Sequence, residues 1–123
     1  MPIAFVLDEH QRGKLIWQAI RHHNLGGGLP IDATRVGDPS DLPLGSSDPE
    51  ILVWADRYER IILTEDFQTF PGMLTMHLFA GRSSPGVFLI RRRATVIAVL
   101  SWLELVVADD QPDAWRDRAI LIP

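Results

Sequence analysis

Three groups of carboxylates stand at matching places in this chain. Asp8 and Glu9 follow the apolar run Ile3-Ala4-Phe5-Val6-Leu7. Asp48 and Glu50 open an amphipathic stretch, and Glu65 and Asp66 follow Arg60-Ile61-Ile62-Leu63-Thr64. Each acid alone has an ordinary structural use, as a helix cap or a partner for a helix dipole. Gathered at one edge they need compensation, because clustered carboxylates cannot all ionise unaided. A hard divalent cation with oxygen ligands and retained water, Mg²⁺ or Mn²⁺, is the usual compensation. The chemistry such a centre supports is hydrolysis of a phosphodiester: the metal generates hydroxide and stabilises the developing charge.

Elements must bring these groups together. Short apolar runs at 3–7, 61–63, 87–90 and 119–122 read as buried strands, and 30–36 as a weaker one. Apolar residues at helical spacing predict helices over 9–23, from Ser47 onward, over 73–80 and over 94–108. Asp8 or Glu9 suits the start of the first, which ends before Asn24 and Gly26-Gly27-Gly28. Ser47 or Asp48 caps the second, with Pro49 in its first turn. Residues 37–47, with Gly37, Pro39, Pro43 and Gly45, form a loop. The alternating order predicts an α/β fold, with a mostly parallel sheet between helices. In such a sheet the acids after the first strand and after 61–63 share the carboxyl edge, and Asp48 faces it from its helix start. Asp66 is expected to point into the pocket there, and Glu65 to face away or play a secondary role.

The totals narrow the function classes. At 123 residues the chain is one domain, 1–123. It has no cysteine, which removes disulfides, thiolate metal sites and cysteine nucleophiles. A net charge of −4 argues against coating a nucleic-acid duplex and leaves room for a local basic patch. The five-residue N-terminal apolar run lacks a basic flank, so no signal peptide is expected. No apolar stretch reaches membrane-spanning length, and a cytoplasmic protein is expected.

Arg91-Arg92-Arg93 is the only basic run, a candidate phosphate contact or simply a solvated helix start. Arg82 and Arg12 are weaker candidates of the same kind. His10 lies beside Asp8 and Glu9, where an exposed helix position is the simpler reading; His22, His23 and His77 read as helix residues. Trp17, Trp54 and Trp102 sit on apolar stripes and read as core or interface. The stretch 94–108 is apolar enough to bury more than one side, which suggests a homodimer. A phosphoacceptor receiver would need a lysine late in the chain; the only lysine is Lys14.

Taken together, Leu7-Asp8-Glu9, Ser47-Asp48-Pro49-Glu50-Ile51-Leu52 with Trp54-Ala55, and Ile61-Ile62-Leu63-Thr64-Glu65-Asp66-Phe67 resemble the PIN-like family, small proteins related to toxin ribonucleases of toxin–antitoxin pairs. The resemblance covers residues 3 to about 90, including Pro85-Gly86-Val87. It implies a PIN-like three-layer α/β/α fold of four to five strands and a Mg²⁺- or Mn²⁺-dependent endoribonuclease centre. Asp8, Asp48 and Asp66 would hold the metal, and Thr64 would support Asp66. Larger relatives carry a further acid on an earlier helix. Residues 24–47 offer no clear counterpart, and Glu9 or Glu50 would stand in for it. RNA and an antitoxin protein are the partners implied. The other reading is a catalytically weak or inactive interaction module on the same fold.

Overall fold

The inner strands are the apolar runs that have no polar face to offer water. β1 (Ala4–Leu7) and β4 (Val87–Ile90) are buried at every residue, and β3 (Arg60–Thr64) at all but its first. Burial on both faces is what a central parallel strand requires. The less apolar β2 (Asp32–Arg35) and the partly exposed β5 (Ala119–Ile122) take the two edges. The computed structural model describes residues 2–11 and 14–123. Its one sheet has the order β2-β1-β3-β4-β5, with every pair parallel.

Period-two alternation divides the core between the faces. Phe5, Leu7, Ile61, Leu63, Phe88 and Ile90 point to one side. They meet α1 (Leu15–Leu25) through Ile16 and Ile20, and α4 (Val96–Asp109) through Val99, Leu103 and Val106. Val6, Ile62, Val87 and Leu89 point to the other. There they meet α2 (Asp48–Tyr58) through Ile51, Leu52, Trp54 and Ala55, and α3 (Phe70–Phe79) through Phe70 and Leu74. The result is a three-layer α/β/α molecule.

Three helix starts differ from the sequence expectation: those of α1 and the third helix, and that of α4, which begins at Val96 rather than at 94 because the Thr95 side chain caps it. The chain after β1 forms a 3-10 turn, Glu9–Gln11, and α1 begins only at Leu15. The Asp8 carboxylate and carbonyl both accept from the Gln11 N–H, which tightens the turn, so neither Asp8 nor Glu9 caps α1. The α1 helix also runs through Asn24, whose side-chain amide bonds both the N–H and the C=O of Ile31 at 2.8 Å and ties down the glycine loop. The third helix starts at Phe70 rather than at 73, because Pro71 is tolerated in a first turn. Arg12 lies outside the described residues.

The path of the chain has one reversal that matters. From β1 it goes outward to β2, then crosses back past β1 to β3. Where strand order reverses, neighbouring connections leave the sheet in opposite directions and a crevice opens at the carboxyl ends. Here that crevice lies between the ends of β1 and β3, the strands followed by Asp8 and by Glu65-Asp66.

Candidate functional site

Asp8 is the first residue past β1 and is only 4% exposed. One carboxylate oxygen accepts from the Gln11 N–H at 3.0 Å; the other accepts from the Thr64 hydroxyl. Burial pushes its pKa above the ordinary carboxylate value, against the opposing pull of those two bonds and of nearby His10. Thr64 ends β3, is fully buried, and its oxygen also accepts from the Asp66 N–H at 3.0 Å. One hydroxyl thus locks the turns after β1 and β3 to each other.

Asp66 is held in the opposite electrostatic sense. Its Oδ1 accepts from the backbone N–H groups of Gln68 and Thr69, at 3.1 and 3.0 Å, and its Oδ2 accepts from the Thr69 hydroxyl. The Thr69 side-chain bond is the leading reason that its pKa falls below the ordinary value. The same hydroxyl lies 3.1 Å from Asp48 Oδ2, at the start of α2. A hydroxyl has one proton to donate. It bonds one of the two carboxylates at a time, and the other oxygen then faces its lone pairs.

Asp8, His10, Lys14, Glu65, Asp66 and Arg92 line a pocket of about 380 Å³ at the β1/β3 crevice. Lys14 Nζ is 3.7 Å from Glu65 Oε2. The wall is therefore mixed: three carboxylates, two basic side chains and the His10 imidazole, which lies near enough to Asp8 and Asp66 to act on both.

The sequence candidates separate in space. Asp8 and Asp66 share the pocket wall, Thr64 lies between them, and Asp48 connects through Thr69. Glu9 and Glu50 are not on that wall. Glu9 accepts from the Gly45 N–H at 2.9 Å and anchors the 37–47 loop. Glu50 completes a capping box with Ser47, the residue that caps α2. Of the basic candidates, Arg92 reaches the pocket, Arg91 and Arg93 are exposed in the same turn, and Arg82 lines a separate groove beside Met73 and Met76. Glu65, expected to face away or play a secondary role, is on the wall. His10 is exposed as expected and also borders the site; His77 is buried, its ring bonded to the Ser83 carbonyl. Lys14 was missed because the first helix was expected to start at residue 9; at its true start Lys14 is the residue before α1 and lines the pocket. Among the described residues, no three His, Asp or Glu side chains come together as a ready metal cage.

Comparison of the chain with protein-family models, with curated proteins and with solved structures finds no match. Among the described residues no helix is long and apolar enough to cross a membrane.

Proposed function

We propose that the pocket at the carboxyl ends of β1 and β3 hydrolyses RNA phosphodiesters with the help of Mg²⁺ or Mn²⁺. One observation carries this reading: Thr64 links Asp8 to Asp66 at the crevice, Asp48 shares the Thr69 hydroxyl with Asp66, and Arg92 and Lys14 stand on the pocket wall. The donor set fits a divalent cation. Asp8 is desolvated without an ion-pair partner among the described residues, and one hydroxyl proton serves both Asp48 and Asp66. Mg²⁺ is commonly held by one or two carboxylates and water, so a full protein cage is not required. Asp8 and Asp66 would hold the ion, with Asp48 beside them, competing with Asp66 for the Thr69 hydroxyl. A bound cation supplies an activated water and charge stabilisation. His10, exposed beside both aspartates, is placed to carry a proton. Arg92 and Lys14 are placed to take phosphate oxygens. The resemblance to PIN-like ribonucleases favours RNA as substrate and a small antitoxin-type partner.

The test is cleavage of a labelled RNA by the purified chain with and without Mn²⁺. Cleavage is expected only with metal, and Asp8→Asn and Asp66→Asn are each expected to reduce it by roughly a hundredfold. Undiminished cleavage in both variants would reject the proposal. A second reading, a non-catalytic interaction module, is favoured by the fact that Asp8 and Asp66 have both carboxylate oxygens bonded within the chain. Titration calorimetry separates the two, since the module predicts no heat of Mn²⁺ binding.

A further inference from the structure

Helix α4 carries its charges in the sense its own dipole disfavours. Arg91, Arg92 and Arg93 precede it, Asp109 ends it and Asp110 caps it. Cations at a helix N-terminus and anions at its C-terminus each oppose the macrodipole. Among the described residues none of these five side chains is in an ion pair. Between the two ends runs an exposed line at four-residue spacing: the apolar Ile97, 78% exposed, then the small Ser101, then the apolar Leu105, 66% exposed. Residues four apart share one helix face. Beside its C-terminal half lies an open cleft of about 490 Å³, lined by Leu29, Ser101, Leu105 and Ala108. The one acid in that cleft, Glu104, is 3.5 Å from His23.

We propose that this face binds a second copy of the chain, through an antiparallel α4–α4 contact whose two-fold axis passes at Ser101. The register follows from the numbering. Ile97 and Leu105 lie four residues either side of Ser101, and Arg93 and Asp109 lie eight. In a two-fold contact, residue i meets j and j meets i. Ile97 therefore meets Leu105 of the partner subunit, beside the cleft under Leu29, and does so twice. Arg93, in the turn before the helix, comes to the end that carries Asp109 of the partner subunit. Ser101 is small enough to let the two backbones approach at the crossing. A parallel pairing would set arginine against arginine and aspartate against aspartate, so the charge pattern selects the antiparallel one. Each helix also gains acids beside its N-terminus and a cation beside its C-terminus, the sense the dipole favours. Arg92 stays with the catalytic pocket. This contact does not depend on what that pocket does.

Sedimentation velocity across the micromolar range tests it, with circular dichroism as the check on folding. The wild-type chain is expected to be a dimer. Leu105→Arg, at an exposed position, is expected to be a folded monomer. Arg93→Asp and Asp109→Arg are each expected to weaken the dimer by roughly tenfold at low salt, and the double exchange to restore it. A wild-type chain that stays monomeric overturns the proposal. So does a dimer that both Leu105→Arg and the single charge reversals leave intact. If Leu105→Arg does not fold, the recovery of the dimer in the double exchange decides.

Discussion

Asp8 is the only buried carboxylate among the described residues, and its burial sets a sign that can be measured. Its folded pKa is raised by desolvation, so the unfolded chain ionises it first. Its contribution to stability is therefore greatest below the ordinary carboxylate pKa and falls as pH rises through the raised one. Asp66 behaves oppositely: its contribution is present above the ordinary value and is lost as pH falls through its lowered pKa. Asp8→Asn is expected to be more stable than wild type near neutral pH, by on the order of 1 kcal/mol, because it removes a desolvated charge. The gain should vanish in acid, where the wild-type carboxyl is neutral too. Urea midpoints at both pH values check this; a variant less stable at neutral pH would mean that the bonds from Thr64 and Gln11 outweigh desolvation. On the proposed site Mn²⁺ should raise the wild-type midpoint and leave that of Asp8→Asn unmoved.

At the scale of elements, the α2 start shows how a carboxylate can look catalytic and be structural. Ser47 Oγ accepts from the Glu50 N–H at 3.3 Å, and Glu50 Oε1 accepts from the Ser47 N–H at 2.9 Å. Both bonds satisfy N–H groups that the first turn leaves orphaned. Ser47→Ala is expected to lower stability by about 1 kcal/mol, read from denaturant midpoints. Glu50→Gln keeps both bonds and should leave cleavage at the wild-type rate, whereas a catalytic Glu50 would not survive that change. This cap was legible in the sequence because Ser-Asp-Pro-Glu is a local signal. The start of α1 was not legible: what shortens that helix is the bond from Gln11 to Asp8, whose second oxygen is taken by Thr64 from another strand.

For the whole molecule, the decisive packing lies where β4 begins. Gly86 has φ +132°, and a Cβ there would stand 2.6 Å from the Trp115 carbonyl oxygen. Trp115 in turn packs edge-on against Phe88 and Trp102, with ring centroids 5.3 and 5.6 Å apart. Gly86→Ala combines a conformation that side chains rarely adopt with a clash against backbone. It should cost roughly 2–4 kcal/mol and disturb the near-ultraviolet signal of the tryptophans. A variant of wild-type stability would show that the Trp115 segment can move aside freely.

The sequence by itself determined the inventory of strands and helices, the α/β class and the acids that follow the strands. Those rest on local physics: apolar runs too short for helices, amphipathic periodicity, and caps read within four residues. Only the tertiary structure decided that β2 lies outside β1, so that the ends of β1 and β3 adjoin at the point where the chain reverses. That reversal puts Asp8 beside Thr64, and with them Glu65, Lys14 and Arg92 around one pocket. It also leaves Glu9 and Glu50 outside that pocket, holding a loop and a helix end. Strand order and crossover are set by how whole faces pack against each other, a free energy summed over the core that no single stretch of the chain displays.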